Sequence, residues 1–251
     1  MLETMQFDSP FMKNRELRIR KCQLLVTLSF ACFFGLAGCA TTPHREHINH
    51  ETGLAKVDQY TLEGENHFLR GYPALDSSGN INVVVEIPAG TNAKWEVDKT
   101  TGQLKWEFRD GKPRVVSYLG YPGNYGMIPR TLVAQKRGGD GDPLDVLVVG
   151  PAVPRGSVVR ARPIGVLKML DRGEQDDKII AVMLNSHLGR ISSIEELIGR
   201  FTGITEILET WFSHYKGTGS IKSKGFGSVR EARHLLVASI AAYQEELSTT
   251  H

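Results

Sequence analysis

The sequence predicts an α+β domain: a small closed β-barrel with extra strands, followed by two C-terminal helices. Three observations carry this. Short β-branched or alternating runs succeed one another through the middle of the chain, turn residues separate them, and two capped helical patterns close it. Ile81-Asn82-Val83-Val84-Val85-Glu86-Ile87 is a β-branched run stopped by Pro88, while Lys94–Asp98 and Gln103–Phe108 alternate polar with apolar. Asp145–Val149 is almost wholly apolar, as a strand buried on both faces must be. After the turn Pro154-Arg155-Gly156 come Ser157–Ala161 and Arg162–Leu170, then Lys178–Met183. One helix is expected from about Ser193 to Tyr215, with Ser193 as N-cap and Glu196 completing a capping box. The other is expected from about Ser228 to Leu247, with Ser228 and Glu231 in the same roles.

The N-terminus reads as a targeting segment. Five basic side chains between Lys13 and Lys21 precede an apolar run of 15 residues, Cys22–Leu36, and then Leu36-Ala37-Gly38-Cys39. That order of charge, length and small residues describes a secretory signal; a membrane span needs ~20 apolar residues. Leu-Ala-Gly-Cys resembles a bacterial lipobox, which implies cleavage before Cys39 and lipid on its thiol. The expected organisation is a signal peptide over 1–38 (with Met12 as an alternative start), a polar tether over 39–58 and a folded domain over 59–251. The implied location is the cell envelope, anchored through Cys39 on the periplasmic side or at the outer membrane; an unused signal would leave the protein cytoplasmic. Cys22 and Cys32 fall in the removed segment, so no disulfide can form within the mature chain. Removal also takes away five basic and three acidic side chains, bringing the formal charge of +2 to zero. A neutral domain does not point to nucleic acid or an anionic membrane surface as partner.

The chemistry is concentrated in Gly138-Gly139-Asp140-Gly141-Asp142-Pro143-Leu144-Asp145, which sets three carboxylates within six positions at the start of an apolar strand. Such crowding costs free energy unless cations or protons neutralise it. Oxygen-only ligands suit hard cations, and the spacing is not that of a calcium helix-loop-helix. Further along, Asp171, Asp176 and Lys178 follow a strand; earlier, Glu86 ends one, and Lys94 and Glu96 share a face of another. Tyr121 and Tyr125 flank a Gly- and Pro-rich turn, and His214-Tyr215-Lys216 ends the first helical pattern. Each piece alone has an ordinary structural explanation.

Taken in order, the pieces resemble the soluble family I inorganic pyrophosphatases. The shared stretches are Glu-Ile-Pro-Ala at 86–89, Lys94-Trp95-Glu96-Val97-Asp98-Lys99, Tyr-Pro-Gly-Asn-Tyr-Gly at 121–126, Asp-Gly-Asp-Pro-Leu-Asp-Val at 140–146, Arg-Pro-Ile-Gly-Val-Leu-Lys-Met at 162–169 and His-Tyr-Lys at 214–216. The resemblance implies an OB-like barrel with a five-stranded core. It also implies that Asp140, Asp142, Asp145, Asp171 and Asp176 bind divalent metal, Mg²⁺ with Mn²⁺ as a substitute, while Glu86 and Glu96 contribute directly or through water. Lys94, an arginine, Tyr125, Lys178, Tyr215 and Lys216 match positions around the phosphates. The arginine is either Arg109 or Arg114; Arg114, seven residues before Tyr121, is preferred. Asp142 is expected to take a proton from the attacking water. Seven acids exceed what one cation needs, and two cations sharing a water lower its pKa toward neutrality. The implied activity is hydrolysis of pyrophosphate to two phosphates by a homo-oligomer; the alternative is a non-catalytic metal- or phosphate-binding lipoprotein of the same fold.

Overall fold

The computed structural model describes residues 48–49 and 53–249, so the stretch read as a signal, Cys39 and most of the stretch read as a tether lie outside the described residues. In chain order the elements are β1 (Ile48–Asn49), β2 (Leu54–Asp58), β3 (Thr61–Glu63), β4 (Ile81–Ile87), β5 (Trp95–Val97), β6 (Leu104–Trp106), β7 (Phe108–Arg109), β8 (Lys112–Pro113), β9 (Asn124–Met127), β10 (Asp145–Val149), β11 (Val158–Asp171), β12 (Glu174–Gln175), β13 (Lys178–Met183), α1 (Ile194–Arg200), α2 (Ile204–His214), β14 (Ile221–Gly227) and α3 (Val229–Thr249).

The central sheet is mixed. β4 pairs antiparallel with β9, β9 antiparallel with β10, β10 parallel with β13, and β13 antiparallel with β11. Residues 158–161 of β11 then pair antiparallel with β4, so the ladder returns to its first strand. This 14-residue strand pairs with β13 along one edge and with β4 along the other, and its ladder with β13 shifts register between Pro163 and Gly165. Pro163 has no N–H to offer a ladder, and a bulge is where such a residue is tolerated. β14 covers the other edge of β11, and a second sheet runs β1-β2-β3-β6-β5.

The apolar runs are explained by burial on both faces. Leu147, Ile180 and Val182 pack with Leu197, Leu208 and Phe212 of α1 and α2. Their neighbours Val146, Val148, Ile179 and Ala181 pack with Ala232 and Leu236 of α3. Alternation with period two sends adjacent residues of one strand to different faces. The β4–β9 crossing requires glycine: a Cβ on Gly126 would stand 1.9 Å from the Val84 carbonyl oxygen.

Several expectations are corrected. The first helical pattern is two helices, not one, so the described residues hold three α-helices, with β14 between the second and third. The chain breaks at Phe201–Gly203, where Gly203 caps α2 in the left-handed region with φ 88°. Arg200 is the last residue of α1, and no side chain caps α2. Ser157–Ala161 and Arg162–Leu170 form one continuous strand. β14 is an added strand, and so is β2, whose Leu54 is buried although it falls in the stretch read as tether. Ser193 caps α1 as read, its Oγ accepting from the Glu196 N–H at 3.1 Å, but the Glu196 carboxylate accepts from the N–H and hydroxyl of Ser192 rather than from Ser193. The Ser228–Glu231 box is complete, with the Glu231 carboxylate accepting from the Ser228 N–H at 2.8 Å and Ser228 Oγ accepting from the Glu231 N–H at 3.4 Å.

Candidate active site

Strand ends and the turns beside them surround one cavity of 240 Å³. Glu86 comes from the end of β4, Glu96 from β5 with Lys94 just before it, and Tyr125 from β9. Asp140 and Asp142 come from the turn before β10, Asp145 opens β10, and Asp171 closes β11. Asp176 precedes β13, Lys178 opens it, Tyr215 and Lys216 follow α2, and Arg114 follows β8. All seven acids and all four bases singled out in the sequence therefore line the same space. The acidic turn holds its shape through local bonds. Asp140 Oδ1 accepts from the Asp142 N–H at 2.9 Å, the Asp142 carbonyl accepts from the Val133 N–H at 2.8 Å, and Gly141 sits at φ 82°. The left-handed backbone at Gly141 is why that position takes glycine.

The acids are matched by bases. Lys178 is buried and donates to both Asp145 and Asp176. Lys94 pairs with Glu96 at 2.7 Å, Lys216 with Asp171 at 2.7 Å, Lys99 with Asp142 at 2.7 Å, and Arg114 with Glu107 at 2.5 Å. Glu86 accepts from the Val97 N–H at 2.8 Å. Burial pushes its carboxyl up to about 8 against the pull of Lys94. Burial also raises Asp140, and it raises Asp176 despite Lys178. Asp145 is held below the usual carboxylate range: burial pushes it up, but Lys178 and Lys94 outweigh that. Burial likewise pulls Lys94 and Lys178 down, yet the carboxylates around them prevail and both stay charged. Buried Tyr125 and Tyr215 are raised, Tyr215 to about 12, so both hydroxyls remain protonated donors at neutral pH.

Among the described residues no group of three His, Cys, Asp or Glu side chains is arranged to hold a metal ion. With lysines drawn in among them, the carboxylates' mutual repulsion is offset by lysine–carboxylate ion pairs. Two features fit a divalent cation nonetheless. Every acidic donor is an oxygen, and Asp171 Oδ1 is buried without a hydrogen-bond partner.

Of the two candidate arginines, Arg114 lines the cavity, whereas Arg109 lies on the exposed β7–β8 hairpin. Sequence reasoning assigned no role to Lys99, to Glu107 or to Arg155. The Arg155 guanidinium donates to the Glu86 carbonyl and lies 4.7 Å from the Trp95 ring centroid. These contacts span 43, 7 and 69 residues, and nothing local marks them. Tyr121 is buried against Trp211 at 4.3 Å and Tyr125 at 5.1 Å, a wall behind the cavity.

Comparison with known proteins agrees with this geometry. The family model described as Inorganic pyrophosphatase matches residues 83–244. The inorganic pyrophosphatase of Xanthomonas campestris is 41% identical over 173 residues, spanning 66% of this chain and 90% of that protein. That of Ralstonia nicotianae is 36% identical over 178 residues, 69% of this chain and 96% of that protein. Among solved structures, the Helicobacter pylori inorganic pyrophosphatase is 34% identical with a TM-score of 0.59, covering 69% of this chain and 98% of that one. The Schistosoma japonicum enzyme is 26% identical with a TM-score of 0.67, covering 74% and 75%. The protein belongs to the inorganic pyrophosphatase family.

Proposed function

We propose that this protein hydrolyses inorganic pyrophosphate to two phosphates in the cavity between β10, β11 and α2. The observation carrying that reading is the convergence of seven acids and four bases on one space. A small polyanion without carbon offers only charge and oxygen to recognise, and the lining supplies both cations and cation-binding oxygens. Asp140, Asp142, Asp145, Asp171 and Asp176 are the residues to hold divalent metal, with Glu86 and Glu96 at the edge of the set. When bound, Mg²⁺ (or Mn²⁺ in its place) supplies charge neutralisation and activates water.

The remaining steps belong to the chain's own side chains. Lys94, Lys178 and Lys216 neutralise phosphate oxygens as point charges, and Arg114 can grip two oxygens at once. The Tyr125 and Tyr215 hydroxyls donate to the phosphates, and burial keeps those protons in place. Asp142 stands at the open rim, its side chain 58% exposed, where its carboxylate takes a proton from the attacking water. Lys99 must swing away from Asp142 as substrate binds, which its own exposure allows. No acid or base of the set is missing from the cavity, which favours turnover over a binding-only role. Phosphate release from pyrophosphate with and without Mg²⁺, beside Asp142→Asn, tests this. Metal-dependent release abolished by the substitution supports it; no release from either protein refutes it.

Several finer readings go with it. The strand pairings that return to β4 fit the OB-like five-stranded barrel of family I. Residues 1–38 act as a signal peptide, Cys39 carries lipid, a tether follows, and the protein works in the cell envelope as a homo-oligomer. Charge order, apolar length and cysteine placement support the export reading. Palmitate labelling lost in Cys39→Ala tests it, and an unprocessed, unlabelled protein rules it out.

A further inference from the structure

The cavity does not end at its acids. Arg114, Asp171, Tyr215 and Lys216 also line a second cleft of 870 Å³, so the two spaces share a wall. The rest of that cleft includes the β7–β8 hairpin, bearing Arg109 and Lys112, the segment 115–117 after it, Gly217, and Arg172 in the turn after β11. Five cations line it against two acids, Asp110 and Asp171. Arg109 reaches a carboxylate only at 3.9 Å, on Glu107, which Arg114 already holds at 2.5 Å. Among the described residues, Lys112 and Arg172 have no ion-pair partner.

The hairpin register adds an independent observation. Asp110 and Gly111 form its turn at φ 51° and 72°, which sets Arg109 directly opposite Lys112. Like charges facing each other across a two-residue hairpin are destabilising unless an anion sits between or beside them. The lining also argues for the kind of anion. Its one aromatic side chain, Tyr215, is already stacked on Trp211 at 4.7 Å, so no free ring remains as a platform for a nucleobase. A cleft far larger than one phosphate, cationic and joined to a pyrophosphate-sized cavity, fits a longer chain of the same units.

We propose that this cleft is an extended phosphate subsite, and that the protein also cleaves linear inorganic tripolyphosphate. The inference rests on the pyrophosphatase reading above. Water's oxygen bonds to the phosphorus held in the acidic cavity as the adjacent bridging P–O bond breaks. The bridging oxygen leaves with pyrophosphate, whose outer phosphoryl lies against Arg109, Lys112 and Arg172. One water proton stays on the released phosphate, and the other passes through Asp142 to solvent. No oxidant or reductant is required.

The test compares steady-state hydrolysis of pyrophosphate and tripolyphosphate by the full-length protein and by Arg109→Gln/Lys112→Gln, with products followed by ³¹P NMR. Losing two charge-assisted contacts at an exposed site is expected to raise KM for tripolyphosphate about tenfold. KM and kcat for pyrophosphate should stay within twofold, a split that a merely structural defect would not give. Equal losses on both substrates would show that the cleft is no separate subsite and overturn the proposal. So would wild-type protein that cleaves pyrophosphate but neither cleaves tripolyphosphate nor is inhibited by it, while leaving the pyrophosphatase reading intact. Failure to cleave pyrophosphate at all would remove both.

Discussion

Replacing Lys178 by methionine tests how the cavity tolerates its own acids. Lys178 is 2% exposed and donates to Asp145 and Asp176, whose side chains are 27% and 17% exposed. Methionine keeps much of the stem but deletes the charge and the donors, leaving Asp145 with only the weaker cationic pull of Lys94 and Asp176 with only that of Lys216. Removing one partner of a buried ion pair costs roughly 3–5 kcal/mol. An upper limit comes from protonation: neutralising one ordinary carboxylate at pH 7 costs about 4 kcal/mol, and the protein can always take that route. Partial exposure of both acids places the loss near the lower end, at about 3 kcal/mol without divalent metal. For a domain of this size that lowers the unfolding midpoint by roughly 6–12 °C. The assay is thermal and urea unfolding of wild type and Lys178→Met, in chelator and in millimolar Mg²⁺. On the proposed function the freed carboxylates are cation ligands, so Mg²⁺ should recover part of the loss in the variant. A deficit under about 1 kcal/mol in chelator, or one that Mg²⁺ leaves unchanged, would refute the reasoning.

Other perturbations follow from named contacts. Gly126→Ala drives a Cβ to 1.9 Å from the Val84 carbonyl oxygen, so β4 and β9 must separate. A loss of at least about 3 kcal/mol is expected in urea unfolding, and near-wild-type stability would contradict it. Ser193→Ala removes the cap that accepts from the Glu196 N–H and should cost about 1 kcal/mol in the same assay, with Ser193→Asn close to wild type. Glu231 is held down to about 2, first by Lys168 and then by Ser228. A depressed carboxyl stabilises the fold above its unfolded pKa and loses that contribution as pH falls through the folded value. Glu231→Gln should therefore be less stable than wild type at pH 7, with the gap closing between about pH 4.5 and 2; a gap independent of pH would exclude this origin.

The sequence disclosed strands and caps better than breaks and partners. β4, β10 and β13 were legible because burial on both faces demands continuous apolar runs, and Ser193 and Ser228 cap their helices where the Ser and Glu spacing put them, the second as a complete capping box. The break between α1 and α2 was hidden because the apolar spacing of Leu197, Phe201, Leu208 and Phe212 runs on across it; only Gly203 marks it. β14 carries no apolar or alternating run, because Lys222, Ser223 and Lys224 are polar, and its ladder partner β11 lies 50 or more residues away. The acids and bases of the cavity could be picked out one by one, and their order suggested a common purpose. Their pairing could not. That Lys178 would sit between Asp145 and Asp176, or that Lys99 would close on Asp142, depends on where strand ends meet in space.

The central claim is that the carboxylates around this cavity gather divalent cations to hold a phosphate anion. Crystals grown with Mn²⁺ and examined by anomalous scattering test it most directly. The account predicts anomalous peaks within coordinating distance of oxygens from Asp140, Asp142, Asp145, Asp171 or Asp176, with Lys178 displaced toward the anion side. Manganese bound elsewhere while these carboxylates keep their lysine partners would contradict it.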